Sequence, residues 1–82
     1  MREKVLIITG STGIGAEAVR MAAGRGARIV IATGDEVSGF ELAAETGAEC
    51  WAGDLTLAHS ADSVLAQCLS KFGRVDGLFN VA

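Results

Sequence analysis

Between the aliphatic run Val5-Leu6-Ile7-Ile8 and an alanine-rich stretch from Ile14 to Ala23 lies the segment Thr9-Gly10-Ser11-Thr12-Gly13-Ile14-Gly15. Glycines at such a junction leave few backbones open. A strand must end, turn sharply, and enter a helix whose first turn lies close to the strand it has just left. The aliphatic run is β-branched, continuous and bounded by Lys4 and Gly10, which suits a strand covered on both faces. The junction also has a chemical consequence. A helix N-terminus offers N–H groups without intrahelical partners and a partial positive charge, and glycines let a pyrophosphate come close to the backbone. A packing turn and an anion cradle are both open readings, and the flanking strand and helix favour the cradle.

The apolar period changes several more times along the chain. Val19, Met21 and the alanines from Ile14 to Ala23 predict a helix, stopped by Gly24 and Gly26 with Arg25 in its last turn. Arg28-Ile29-Val30-Ile31-Ala32 reads as a second buried strand, and Thr33-Gly34-Asp35-Glu36 as a polar turn. A short helix near Phe40, Ala43 and Ala44 stops at Gly47, and Glu49 to Ala52 is a brief third strand. Val64, Leu65, Cys68, Leu69 and Phe72 make one apolar helical stripe ended by Gly73. Leu78-Phe79-Asn80-Val81 is the fourth strand. Alternation of strand and helix with short joins implies an α/β fold with parallel strands and right-handed crossovers.

Composition narrows the class. With 82 residues, half of them apolar, 21% charged and no proline, residues 1–82 are expected to form one small soluble domain of marginal stability. The aliphatic content excludes disorder, and two cysteines, Cys50 and Cys68, are too few for a disulfide scaffold. Runs such as Val5 to Ile8 are far too short to cross a bilayer, and no signal peptide precedes them, so no membrane role and a cytoplasmic location are expected. A net charge of −3 with seven basic residues scattered along the chain argues against a nucleic-acid partner. His59 and two distant thiols do not make a metal site, and no Gly-Lys-Ser/Thr follows the loop, so a P-loop is not supported.

Taken together, these segments resemble the N-terminal portion of a short-chain dehydrogenase/reductase, a family of NAD(P)-dependent Rossmann oxidoreductases. The similarity runs the whole length: the Thr-Gly...Gly-Ile-Gly loop, Gly26-Ala27-Arg28, Gly53-Asp54-Leu55-Thr56, Phe72 to Leu78, and Asn80-Val81-Ala82, which is similar to the family's Asn-Asn-Ala-Gly. The resemblance implies a partial Rossmann fold, a parallel four-stranded sheet in the order 3-2-1-4 with three helices. It implies NAD or NADP as the coenzyme, held by Gly10, Ser11, Thr12, Gly13, Ile14 and Gly15. Asp54 would accept from the adenine amino group beside the Leu55 backbone, Thr33 would stand at the coenzyme-selecting position, and Asn80 and Ala82 would lie at the coenzyme's edge. A turn or helix cap remains open for Asp54, and local backbone satisfaction for Asn80.

Three departures from the family pattern matter. Only Ser11 and Thr12 separate the first two glycines, one residue fewer than the commonest form, which is read as a deletion that puts coenzyme affinity in doubt. Thr33 and Gly34 offer neither the acidic residue that would hold ribose hydroxyls nor an arginine for a 2′-phosphate, so the choice between NAD and NADP stays open. Asp35 reads as a solvated turn carboxylate. The family's catalytic serine, tyrosine and lysine lie beyond the last segment matched, and the chain has no tyrosine. Lys4 and Lys71 read as solvated surface charges. No catalytic residue is therefore assigned, and hydride transfer by these residues alone is not expected.

In such a sheet two helices cover one face, the Val64-to-Phe72 helix covers the other, and the fourth strand has an apolar outer edge. Self-association through that edge is expected, by strand pairing across a two-fold axis or by exchange of an element. Two other readings carry weight: a non-enzymatic self-associating Rossmann remnant with weak or no coenzyme binding, and a methyltransferase-like nucleotide fold. The Asp54 and Asn80 segments argue against the latter.

Overall fold

In the computed structural model, which describes residues 2–81, strand and helix alternate throughout. The order is β1 (Val5–Thr9), α1 (Gly13–Gly24), β2 (Arg28–Thr33), α2 (Glu36–Thr46), β3 (Glu49–Ala52), α3 (Ala58–Phe72) and β4 (Gly77–Asn80). The strands are parallel and lie in the order β3-β2-β1-β4, the arrangement the resemblance implies. Ile8 stands beside Ile31 and Phe79, and Ile31 beside Cys50.

Successive strand side chains point to opposite faces, so the two central strands feed two cores. Ile8, Ile29 and Ile31 pack with Ala16, Val19 and Ala22 of α1 and Leu42 and Ala43 of α2. Val5, Ile7, Val30 and Ala32 pack on the other face with Val64 and Cys68 of α3, flanked by Trp51 and Phe72. β2 is central and covered on both sides, which is why its sequence shows no polar alternation. At Gly39 α2 lies so close to the sheet that a Cβ would sit 2.5 Å from Thr33 Cγ2 and 2.8 Å from Cys50 Sγ.

Two expectations are corrected in detail. Helix α1 extends from Gly13 through Gly24, so Arg25 is its C-cap rather than a last-turn residue, and the reversal falls on Gly26 at φ 89°. The stripe of α3 is only half inside. Val64 and Cys68 are buried, whereas Leu65 and Leu69 are 42% and 45% exposed. The reason is that α3 has its face of the sheet to itself among the described residues and packs on it along a narrow line over β2. The neighbouring Leu78 of β4 is 65% exposed.

Basic residues that are scattered in the sequence are gathered in space. Arg2 and Lys4 precede β1, Arg25 caps α1, Arg28 opens β2, Lys71 lies in the last turn of α3 and Arg74 follows it. In a parallel α/β layer the strand starts and helix C-termini share one end, where cations complement the helix dipoles. Of the seven cationic side chains only Arg20 lies elsewhere, midway along α1. No helix among the described residues is long and apolar enough to cross a membrane.

Candidate functional site

The opposite end of the layer, where strands finish and helices begin, carries the glycine segment. β1 ends at Thr9, Gly10 turns at φ 96° while its N–H donates to Ala32 O at 2.8 Å, and Gly13 opens α1 at φ 56°. A side chain at Gly15 would lie 2.9 Å from Gly10 O and 3.2 Å from Thr9 O, so only glycine lets α1 start this close to the strand it left. A Cβ at Gly10 or Gly13 would meet nothing within 4 Å, so their positive φ values, and not crowding, call for glycine there. Thr12 is the N-cap of α1 but makes no side-chain cap bond, and no acidic residue occupies the first turn. The amides at the start of α1 are thus presented at an end that no carboxylate of α1 neutralises.

The two middle residues of the loop behave differently. Thr12 is exposed, and Ser11 turns inward and is buried. Ser11 Oγ lies 2.9 Å from Thr33 Oγ1 and 2.5 Å from Ser38 Oγ. Thr33, itself buried, accepts the Asp35 N–H at 3.0 Å. Three hydroxyls therefore join the loop, the end of β2 and the start of α2. The Thr33 side chain is directed into this cluster. Asp35 is exposed, as a solvated turn carboxylate would be, and is also the N-cap of α2, its carboxylate accepting the Ser38 N–H at 3.3 Å. Ser38 was not singled out by sequence reading; its place three residues after a capping aspartate was the available signal.

Asp54 lies after β3 at the same end and is exposed. Its Oδ1 accepts from Thr56 Oγ1 at 2.6 Å and Thr56 N–H at 2.9 Å, and these bonds hold its carboxyl below the ordinary carboxylate range. Ser60 Oγ donates to the Asp54 carbonyl. Asp54 is therefore a turn former before α3, and the N-cap itself is Leu57. Leu55 turns toward the α3 core.

Asn80 ends β4 beside Thr9. Thr9 Oγ1 donates to Asn80 Oδ1 at 2.9 Å and accepts the Val81 N–H at 2.8 Å. Sequence reading quoted Thr9 only as part of the loop; its role in tying β1 to β4 depends on a pairing across 71 positions. These residues mark the place where the strand order reverses, between β1 and β4, the usual crevice for ligands in open α/β sheets. An apolar groove bordered by Leu55, Leu57, Leu65, Val75 and Leu78 opens from the same place on the α3 face. Ala82 lies outside the described residues. Gly10, Ser11, Thr12, Gly13, Ile14, Gly15, Thr33, Asp54, Leu55 and Asn80 thus all lie in the loops and element ends at the carboxyl side of the sheet.

Lys71 and Cys68 lie toward the far end of α3, whereas Cys50 Sγ sits near Thr33 beneath Gly39 and His59 is in the first turn of α3. Lys71 pairs with Glu49 at 3.7 Å and is exposed. Cys50 and Cys68 pack with opposite faces of the sheet, and burial raises both thiol pKa values.

Comparison with known proteins agrees with this geometry. The family model described as short chain dehydrogenase matches residues 3–82. An L-fucose dehydrogenase from Mus musculus is 37% identical over 81 residues, covering 96% of this chain and 30% of the relative. Short-chain dehydrogenase reductase 3a from Arabidopsis thaliana is 36% identical, covering 96% of this chain and 32% of its own length. Among solved structures, a 3-ketoacyl-(acyl-carrier-protein) reductase from Brucella melitensis complexed with NADH superposes with a TM-score of 0.90 at 35% identity, covering 94% of this chain and 33% of that one. The chain spans about a third of the length of the curated relatives it matches.

Proposed function

This chain belongs to the short-chain dehydrogenase family, and we propose that it forms the dinucleotide-binding part of an NAD(P)-dependent oxidoreductase working in the cytoplasm. The observation that carries this reading is the Gly10–Gly15 turn: two glycines at positive φ facing open space, and a third where a Cβ would strike Gly10 O at 2.9 Å. Such a turn suits a diphosphate, because it sets unbonded helix amides where the backbone can be approached closely. The Brucella reductase that superposes on this chain was solved with NADH, which supports the same ligand class.

In this reading the amides from Gly10 to Gly15 hold the diphosphate, with Thr12 exposed beside it and Ser11 holding the turn from below. Asp54 accepts from the adenine amino group on the oxygen not committed to Thr56, and Leu55 lines the adenine side. Thr33 supports the ribose side, while Asn80 borders the coenzyme at the β1–β4 reversal. A bound nicotinamide would supply the hydride donor or acceptor. The 82 residues contain no tyrosine to shuttle the proton by the family's usual means, so these residues bind and orient without completing the reaction. The outer edge of β4 has no strand partner among the described residues and carries exposed Leu78 and Phe79, which supports association with a second copy there.

Isothermal titration with NADH and NADPH tests the binding reading. Saturable heat with at least one coenzyme, lost when Gly13 is changed to valine, is the expected result; no heat with either on a folded chain overturns it. Light scattering at micromolar concentration tests the association, with a dimer mass expected.

A further inference from the structure

The open edge of β4 and the separation of charge between the two ends of the layer bear on how a second copy would sit. β4 is the outermost strand of the order β3-β2-β1-β4, and its Leu78 and Phe79 are exposed. Six of the seven cationic side chains lie at the end where strands start. The finishing end carries Asp35, Glu36 and Asp54 and, among the described residues, no cation. A parallel neighbour would set like end against like. An antiparallel one sets the cationic end of one copy beside the acidic end of the other, and a two-fold axis normal to the sheet produces that arrangement.

The faces of β4 fix the register. Residues directly opposite in an antiparallel pair point to the same face. Leu78 stands beside Ile7 and shares the α3 face, whereas Phe79 stands beside Ile8 and shares the α1 face. The axis must therefore pass through a residue and not between these two. On Phe79 it would press Leu78 against the amide of Asn80. On Leu78 it sets leucine against leucine and lays Phe79 over the partner's Gly77, where no side chain competes for the space. In that register the partner's Asp76 comes opposite Asn80, with the partner's Arg74 just beyond it, at the end where β1 finishes and the glycine turn begins. Arg74 is exposed and commits one guanidinium nitrogen to Asp76 Oδ1 at 2.6 Å, so donors remain for an anion.

Building on the proposed dinucleotide site and on association at this edge, we propose that two copies pair their β4 strands antiparallel about Leu78. The partner's Arg74 then completes the site, donating to a coenzyme phosphate at an end with no cation of its own.

The test joins a cross-link to binding in trans. Opposite residues of an antiparallel pair have Cα atoms about 4.5–5.5 Å apart, within reach of a disulfide. L78C is therefore expected to give a disulfide-linked dimer on oxidation, whereas F79C, whose two copies lie out of register, is not. R74Q is expected to remain a dimer by light scattering but to bind NADH about tenfold more weakly, the worth of one charge-assisted hydrogen bond. T12E, at an exposed position that makes no side-chain cap bond, is expected to lose NADH binding and keep its fold. Mixed in excess with R74Q, T12E is expected to restore the parent affinity, because each mixed dimer brings an intact Arg74 to an intact glycine turn. A dimer that L78C does not cross-link overturns the seam, and unrestored binding in the mixture overturns the part of the partner's Arg74; both leave the dinucleotide reading intact. A monomeric parent overturns this inference and the β4 association together. No NADH binding by the parent overturns the dinucleotide site, and the part of the partner's Arg74 falls with it.

Discussion

The backbone N–H of Val5 donates to the Asp76 carboxylate at 2.8 Å, joining the first residue of β1 to the residue before β4 across 71 positions. Asp76 also accepts from Arg74 at 2.6 Å, and its own N–H donates back to Val5 O at 2.8 Å. Arg74 first, then the Val5 amide, hold the carboxyl below its ordinary value. A carboxyl depressed in the folded state contributes stability above its unfolded pKa of about 4 and loses it as pH falls through the folded value. Thermal unfolding followed by circular dichroism is expected to show a falling midpoint below about pH 4. Asp76→Ala is expected to lower the midpoint at pH 7 and to flatten that acid limb. An unchanged limb would mean that other carboxylates control it.

The start of α1 allows a paired test of crowding. Gly15→Ala puts a methyl group 2.9 Å from Gly10 O, and urea denaturation is expected to show a loss of about 1–3 kcal/mol, as for overpacking elsewhere. Gly24→Ala, at the other end of the same helix, meets nothing within 4 Å and is expected to gain about 0.4–1 kcal/mol by restricting the unfolded chain. If both lose equally, the contact at Gly15 is not what sets its identity.

Helix α3 offers a contrast one residue apart. Val64 is 5% exposed and packed with Ile7 and Val30, so Val64→Ala is expected to cost about 2 kcal/mol in chemical denaturation. Leu65 is 42% exposed, so Leu65→Ala in the monomer is expected to cost less than half as much, although it removes more carbon. A larger loss at Leu65 would show that another surface covers it in solution.

Ser11 joins three elements by one hydroxyl. Ser11→Ala leaves the buried Thr33 hydroxyl without that partner, and the expected loss is about 1–3 kcal/mol. Amide exchange should quicken from Gly10 to Gly13 before it does in β1. Uniform acceleration across the sheet would indicate that Ser11 supports global stability only.

The expected strands and helices are all present, and most differ from the expected bounds by a residue or two; α3 starts well before the Val64-to-Phe72 stripe. The glycine turn was legible for the same reason: a strand that must reverse into a helix at short range admits few residues besides glycine at Gly10, Gly13 and Gly15. Hydroxyl directions were not legible. Ser11 and Thr12 are adjacent polar residues of similar type, yet one is buried against β2 and α2 and the other is exposed. Asp35 could have been a loose turn or a cap; only the placement of Ser38 N–H beside it decides.

Local pattern by itself determined the alternation of elements and the presence of a helix-opening glycine turn, because hydrophobic period and turn chemistry act over a few residues. Tertiary structure alone decided three things: which half of the α3 stripe is buried, that Thr9 and Asn80 meet, and that cations scattered through the sequence share one end. Those follow from strand order and parallel direction, which bring distant residues together according to where each lies along its own strand or helix.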